Sequence, residues 1–259
     1  MSGFRADWLM LREPADRAAR SQRLIAMAGR DLAAFAAPEV CDLGAGTGAG
    51  MRAFAPHFPA STRWTLVDNA PALLAQIRAP GVTRRVGDLA ANPALWPATC
   101  RLVTATALFD LAAAGWLDRL AAALSAARLP LLSCLTYDGH IGLVPQHPFD
   151  VAMIAAFNDH QKTDKGLGGP AAGPDAHRRL VALLAAHGYR VEEAETPWRL
   201  DGVRDAELIR AVLEGWAEAA VGRCGVTAGK AAAWLAARLG ATDQLVIGHR
   251  DLYARPSGT

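Results

Sequence analysis

The sequence predicts an α/β fold in which a doubly wound, mostly parallel sheet of seven strands carries helices on both faces. Short apolar strands alternate with amphipathic helices from residue 38 onwards, which is typical of βαβ units. A glycine-rich turn follows the first strand, and an acidic residue stands at or near the end of each of the first three strands. With 259 residues, 52% of them hydrophobic, the chain is predicted to form one domain with a sizeable core.

The elements follow from hydrophobic spacing. Residues 1–36 are predicted to be a helical cover, broken or turned at Pro14. Strands are predicted at residues 40–43, 63–67, 82–86, 101–106, 129–137, 189–195 and 244–250. Helices are predicted at residues 47–56, 71–78, 111–127, 151–158, 174–187, 204–221 and 228–239. Residues 204–239 therefore form a helical insertion between the last two strands.

The turn after the first strand is the most informative segment of the chain. Glycines stand at alternating positions, at Gly44, Gly46, Gly48 and Gly50. Glycine lacks a Cβ atom, so this turn can adopt backbone angles closed to other residues and let a ligand touch the main chain. The first N–H groups of the helix that follows have no partner inside the helix. The segment therefore predicts a site for a polar cofactor.

Two cofactors are compatible with the glycines alone. The spacing Gly44-x-Gly46-x-x-Ala49, with Asp68 about twenty positions later, satisfies the loose dinucleotide-binding pattern. A dehydrogenase also needs hydride-transfer residues, and the sequence contains no Tyr-x-x-x-Lys motif. An NAD-binding protein is therefore the weaker alternative.

The segment Asp42-Leu-Gly44-Ala-Gly46-Thr-Gly48 resembles the first motif of class I S-adenosylmethionine (SAM)-dependent methyltransferases. The resemblance covers residues 38–137 well and residues 174–254 loosely. It implies that SAM is the cofactor and that Asp42 orients it, while Asp68 bonds the ribose and Asp88 the adenine amine. The cofactor-binding residues implied are Asp42, Gly44, Ala45, Gly46, Gly48, Asp68, Asn69, Asp88, Leu89, Thr106 and Leu108. An arginine of the N-terminal helix, among Arg12, Arg17 and Arg20, is a candidate for the methionine carboxylate, although surface charge of the helix is the favoured role for any one of them.

Methyl transfer is an in-line displacement that needs positioning and, for some acceptors, a general base. His160 is the first candidate for the base and His140, expected on the loop after strand 5, is the second. Asp110 is a third candidate that is equally well placed to cap the following helix. The predicted substrate-binding residues are Tyr137, Asn158, Lys162 and Lys165, and the two lysines suit an anionic acceptor such as a carboxylate or phosphate.

Two segments have alternative interpretations. Residues 138–173 are polar and rich in glycine and proline, which favours a lid over the substrate but also fits an exposed flexible loop. The helices of residues 204–239 carry Trp216 and Trp234, which could cover the substrate, form a dimer contact or pack in a core. Core packing is the favoured interpretation.

The sequence therefore predicts an enzyme that methylates an oxygen or nitrogen of a small-molecule metabolite. The alternatives are a protein or RNA methyltransferase and a SAM-binding regulatory protein without turnover. The net charge of +2, the lack of a basic stripe and the absence of an Asn/Asp-Pro-Pro-Tyr/Phe motif after strand 4 speak against nucleic acid as a partner. Four scattered cysteines, no predicted metal ligands and no apolar run long enough for a membrane span predict a reduced, cytoplasmic protein, with a homodimer left open.

Overall fold

The computed structural model describes residues 5–258, and a single mixed sheet runs through the centre of that part of the chain. Its strands are β1 (Glu39–Leu43), β2 (Arg63–Asp68), β3 (Val82–Val86), β4 (Cys100–Thr106), β5 (Leu131–Val144), β6 (Tyr189–Glu195), β7 (Trp198–Asp201) and β8 (Gln244–Pro256). Their order is β3-β2-β1-β4-β5-β8-β6, with β7 also paired to β8. The first five strands are parallel, and β8 is antiparallel to β5, β6 and β7. The predicted fold class is confirmed, with one short strand more than expected.

Nine α-helices pack on this sheet within the described residues. They are α1 (Ala6–Ala19), α2 (Gln22–Leu32), α3 (Ala49–Phe54), α4 (Pro71–Leu74), α5 (Ala114–Ala127), α6 (Asp150–Gln161), α7 (Ala176–Ala186), α8 (Ala206–Ala220) and α9 (Ala228–Arg238). Helices α8 and α9 lie between β7 and β8 in the chain, as the sequence predicted.

The prediction for the N-terminal helix was wrong about where it breaks. Helix α1 runs through Pro14, and the break comes at Arg20 and Ser21. The Ser21 hydroxyl accepts a hydrogen bond from the Leu24 N–H at 3.4 Å, and the Ser21 N–H donates to the buried Asp251 carboxylate at 2.9 Å. The new helix therefore starts where a serine cap and a bond to β8 replace the helical hydrogen bonds.

Strands β5 and β8 are longer than predicted and extend past the edge of the parallel sheet. Residues 141–144 of β5 pair with 244–247 of β8, and β7 pairs with the same stretch of β8. Residues 138–144, which the sequence assigned to the lid-like insertion, are therefore the second half of β5. The sequence did not predict this continuation because the polar residues Asp138-Gly-His140 interrupt the apolar pattern. These residues lie where the register of the β5–β8 pairing shifts.

Three hydrophobic cores hold the chain together. One lies between the sheet and helices α5 and α7, and a second lies on the opposite face under α2, α3 and α4. The third packs α6, α8 and α9 against the extension of β5, β7 and β8. Trp216 and Trp234 are both buried in this third core, which confirms the core-packing interpretation.

None of the helices between residues 5 and 258 is both long and apolar enough to cross a membrane. In the same part of the chain, no cluster of histidine, cysteine and carboxylate side chains is arranged to hold a metal ion.

Candidate functional site

A cleft of about 380 Å³ opens at the carboxyl edge of the parallel strands. It lies where the strand order reverses between β1 and β4, which is the usual ligand position in open α/β sheets. The glycine turn, the residues after β2, β3 and β4, helix α1 and residues 165–167 form its walls. Each cofactor-binding residue predicted from the sequence lines this cleft except Gly48, which begins α3 directly behind it.

The glycine turn needs its glycines for both conformation and space. Gly44, Gly46 and Gly48 have φ angles of +67°, +54° and +83°, a region that side chains disfavour. A Cβ atom at Gly44 would lie 2.8 Å from the Leu108 side chain, and one at Gly46 would lie 3.2 Å from Leu9 of α1. The turn therefore leaves room for a ligand only because it lacks side chains.

Asp42 lies under this turn and is almost completely buried. The Thr104 hydroxyl donates a hydrogen bond to its Oδ1 at 2.6 Å. Burial raises the pKa of Asp42 to about 7, although the Thr104 hydrogen bond and the charge of Arg20 act in the opposite direction. The carboxylate is therefore poised to ionise when a cation reaches it.

Arg20 supplies a buried positive charge close to Asp42. The residue is only 3% exposed, and its guanidinium lies over the Phe54 ring at 5.8 Å. Within residues 5–258, none of its three side-chain nitrogens has a hydrogen-bond partner. By contrast, Arg12 is bound to Asp16 at 3.0 and 3.1 Å, and Arg17 is exposed beside Glu13. Of the three arginines considered from the sequence, Arg20 is the one whose bonding capacity is unused.

The cleft also carries the other two predicted carboxylates. Asp68 accepts hydrogen bonds from the Gly46 and Ala70 N–H groups, both at 2.8 Å, so its position is fixed by the glycine turn. Asp88 accepts from the Ala90 N–H at 2.9 Å and lies exposed at the rim, whereas Leu89 is buried beside it. Asn69 lies exposed next to Asp68.

Two threonines, Thr47 and Thr106, also line the cleft. The Oγ1 atoms of Thr47 and Thr106 are buried, and neither has a hydrogen-bond partner in the described chain. Thr106 was predicted as a cofactor-binding residue. Thr47, which stands between two glycines of the turn, was not. Ala107, which follows Thr106, has a φ of +49° and donates its N–H to the Cys134 carbonyl at 2.9 Å. A strained backbone therefore turns the chain across the cleft after β4.

Asp110 follows in a short 3₁₀ turn and is buried. Its Oδ1 has no hydrogen-bond partner within the described residues. Burial raises the pKa of Asp110 to about 6, against the lowering effects of nearby N–H groups and of the Arg12 and Lys165 charges. The alternative role as a helix cap is wrong, because the cap position of α5 is Ala113 and no side chain bonds there.

His249 is a residue that the sequence analysis missed. It lies on β8, paired in register with Tyr137, and its ring is 6.3 Å from that of Tyr137 and 5.2 Å from that of Trp198. Its Nδ1 is buried, with no partner between residues 5 and 258. Burial, together with the charge of Arg12, lowers the pKa of His249 to about 3. Only the pairing of β5 with β8, which is long-range, would have shown its position.

Tyr137 and Asn158 are bonded to one another behind the cleft and do not line it. The Tyr137 hydroxyl donates to Asn158 Oδ1 at 2.7 Å, and Asn158 Nδ2 donates to the Gly139 carbonyl at 3.0 Å. Burial raises the pKa of Tyr137. In this arrangement the pair ties α6 to β5.

The structure separates the remaining candidates into two groups. Lys165 lines the cleft, and its Nζ is 3.2 Å from Nδ1 of His160. Lys162 points elsewhere and forms an ion pair with Asp175 at 3.1 Å. The prediction that His140 lies on a loop was wrong, because it is an exposed residue of β5 outside the cleft. Asp110, His160 and Lys165 therefore remain as candidates near the cleft.

No protein-family model and no curated protein matches this sequence. Solved structures do match. The chain is similar to a SAM-dependent methyltransferase from Geobacter sulfurreducens in complex with S-adenosyl-L-homocysteine, with 17% identity, a TM-score of 0.50 and coverage of 98% of this chain and 100% of the other. It is also similar to a cyclopropane-fatty-acyl-phospholipid synthase-like protein from Lactobacillus casei, with 13% identity, a TM-score of 0.51 and coverage of 96% and 94%.

The chain spans about half the length, 52%, of a phosphoethanolamine N-methyltransferase from Haemonchus contortus that it also matches. At these identities the matches concern the fold. The protein has the fold of the class I SAM-dependent methyltransferases, as its glycine-rich motif led us to expect.

Proposed function

We propose that the protein transfers a methyl group from SAM to an oxygen or nitrogen atom of a small molecule. One observation carries this proposal. Asp42, the glycine turn, Asp68 and Asp88 converge on a single cleft at the point where the strand order reverses. When bound, SAM supplies its methyl group as an electrophile attached to a sulfonium.

The residues of the cleft fit the polar groups of this cofactor. Asp42 lines the cleft and suits the ammonium of a methionine moiety, and the buried charge of Arg20 lies close to Asp42 although Arg20 is not a lining residue. Asp68 retains lone pairs for ribose hydroxyls, and Asp88 can accept a bond from the adenine amine. The unpartnered hydroxyls of Thr47 and Thr106 are further bonding groups that a polar ligand would satisfy.

A small acceptor is favoured because α1 covers part of the cleft. Leu9, Arg12 and Asp16 contribute to its walls, and Glu13 is bound to Arg52 of α3 at 2.6 Å. This cover narrows the access to the cleft, which supports a small acceptor.

We assign proton transfer on the acceptor side to Asp110. It is buried, has an unpartnered oxygen, and has a pKa of about 6, which suits a base that works near neutral pH. Asp110 would hold the acceptor group and take its proton while the methyl group is transferred. Neither Asp110 nor His160 is itself a lining residue of the cleft. Asp110 lies in the turn between the lining residues Leu108 and Leu111. His160 is hydrogen-bonded to the lining residue Lys165, so we assign it a supporting role.

Calorimetry and turnover test this proposal together. The protein is expected to bind S-adenosylhomocysteine and not NAD, and to release S-adenosylhomocysteine from SAM when supplied with a panel of small hydroxyl and amine acceptors. Asp68→Ala should abolish binding, whereas the matched change Asp118→Ala, at an exposed ion pair with Arg179, should not. Binding of NAD alone would refute the proposal, and binding without turnover on any acceptor would favour a regulatory protein.

A further inference from the structure

Lys165 carries a positive charge at the wall of the cleft that no carboxylate neutralises by direct contact. Its Nζ lies 3.2 and 3.5 Å from the two ring nitrogens of His160. No ion pair joins it to a carboxylate anywhere in residues 5–258, in contrast to Lys162 with its partner Asp175. Lys165 is also partly buried and lines the same cleft as the glycine turn.

The loop that carries Lys165 is held in place by hydrogen bonds on both sides. The Gly166 N–H donates to Asp164 Oδ1 at 2.7 Å, which fixes the turn at Lys165 itself. The Ala113 N–H donates to the Leu167 carbonyl at 3.0 Å, and the Ala172 N–H donates to the Ala112 carbonyl at 2.7 Å. The loop is thus bonded to the segment that follows Asp110, and Lys165 is fixed at the acceptor end of the cleft.

Lys165 and Arg223 are two cations that act on one another and on the His160 ring. Burial and the charge of Arg223 lower the pKa of Lys165, although Asp110 acts to raise it. Burial and the charges of Lys165 and Arg223 lower the pKa of His160, and Asp159 and Glu218 only partly oppose them. Arg223 itself is paired with Asp159 at 2.7 Å. An anion placed beside Lys165 would relieve this repulsion.

We infer that the methyl acceptor is an anion whose carboxylate or phosphate group binds to Lys165 at the wall of the cleft, where His160 supports the lysine. This inference rests on the proposed function and adds the chemical class of its substrate. Lysine is a point charge that suits either oxyanion. His160 is hydrogen-bonded to Lys165, so an anion bound to the lysine would favour the protonated form of the ring.

The His160 ring reports on the site directly. The experiment follows its NMR chemical shifts against pH in the full chain loaded with S-adenosylhomocysteine, at constant ionic strength in chloride. The probes are inorganic phosphate, benzoate and, as a neutral control of the same shape, benzamide. We expect the pKa of His160 to rise by about one unit with phosphate or benzoate and not with benzamide. The phosphate and benzoate arms distinguish the two oxyanions.

Three lysine variants test whether the response to anions depends on Lys165 itself and not on positive charge in general. Lys165→Met should weaken anion binding by about tenfold and should by itself raise the pKa of His160, because a repelling charge is removed. Lys165→Arg should retain most of the anion response. Lys162→Met is the matched control and should behave like the parent protein, because its ammonium is paired with Asp175.

The outcomes distinguish this inference from the proposed function. If S-adenosylhomocysteine fails to bind in calorimetry of the same samples, the proposed function is wrong. If it binds but no anion shifts the His160 titration, or if Lys162→Met abolishes the shift as fully as Lys165→Met, the anionic acceptor is wrong and the donor site stands.

Discussion

Arg20 and Asp42 place opposite charges close to one another, with Asp42 in the wall of the cleft and Arg20 buried outside the lining. Asp42 was predictable because it stands inside a local motif. The importance of Arg20 was not, because burial selects it from three arginines on the same segment. Its guanidinium has no hydrogen bond in the described structure, and a buried unpaired cation is costly unless a ligand completes its bonding.

Arg20→Met is therefore expected to lower the affinity for S-adenosylhomocysteine by at least about tenfold without lowering the melting temperature. Methionine has a similar volume and no charge to desolvate. Calorimetry and thermal unfolding measure the two effects, and Arg17→Met, at an exposed residue, is the control. An unchanged affinity would show that Arg20 has no part in binding.

Asp42 should make cofactor binding depend on pH. Its pKa in the free protein is about 7, and an ammonium group of the cofactor beside it would favour the ionised form. Binding should therefore release a proton near pH 6.5, and the affinity should rise between pH 6 and 8. Calorimetry in PIPES and in imidazole, which both buffer near this pH and differ in ionisation heat, measures the release.

Asp42→Asn should remove this proton release, whereas Asp110→Asn should keep it. Equal heats in the two buffers for the parent protein would contradict the assignment.

At the scale of elements, α1 is a wall of the donor site as well as a cover. Its Leu9 approaches Gly46, and its Glu13 is bound to Arg52 of α3. Helix α1 and the glycine turn therefore have to fit one another. The sequence predicted that the N-terminal helix covers the site, but not that Leu9 contacts the glycine turn.

Gly46→Ala tests this fit. The new Cβ atom would lie 3.2 Å from Leu9 at a residue with a φ of +54°, so we expect S-adenosylhomocysteine affinity to fall by at least about tenfold. Gly81→Ala is the matched control, because Gly81 has a φ of +68° and no atom within 4 Å of its added Cβ. Gly81→Ala should lower the free energy of unfolding by a similar amount, on the order of 1 kcal/mol, and leave the affinity for S-adenosylhomocysteine unchanged.

Leu9→Ala combined with Gly46→Ala should recover part of the affinity. No recovery would indicate that backbone strain alone, and not contact with α1, accounts for the loss.

Prediction from the sequence succeeded where the signal was local and failed where it was long-range. The glycine turn and the carboxylates Asp68 and Asp88 belong to strand ends that can be recognised from adjacent residues. The second half of β5 was missed because Asp138 and His140 interrupt its apolar pattern, although Arg250 of β8 pairs with Asp138 at 3.1 Å in the folded chain. His249 was missed for the same reason, since its neighbours Tyr137 and Trp198 are distant in sequence.

For the molecule as a whole, His249 makes the free energy of unfolding depend on pH in the acid range. Its pKa is about 3 in the folded protein and about 6.5 in an unfolded chain, so the unfolded state binds the extra proton between these values. This contribution to stability is therefore complete above pH 6.5 and is lost as the pH falls towards 3. The raised pKa values of Asp42 and Asp110 act in the opposite direction, since the folded carboxyls hold protons that the unfolded ones release.

The free energy of unfolding of His249→Gln, relative to that of the parent, should rise by about 3 kcal/mol as the pH is lowered from 7 to 4. Urea unfolding at several pH values measures this difference. His187→Gln, at an exposed position, should show no such trend. A parent-to-variant difference that stays constant with pH would contradict the role of His249.

The long pairing of β5 with β8 has a consequence for how the chain avoids association. Strand β5 contributes Leu131, Leu132 and Leu143 to three different cores, and β8 covers its edge over most of its fourteen residues. During synthesis about a hundred residues separate the end of β5 from the start of β8. Until β8 pairs with it, this edge of β5 is an unpaired, largely apolar strand edge, which is a template for pairing with other chains. The arrival of β8 is therefore the step that protects the nascent protein from aggregation.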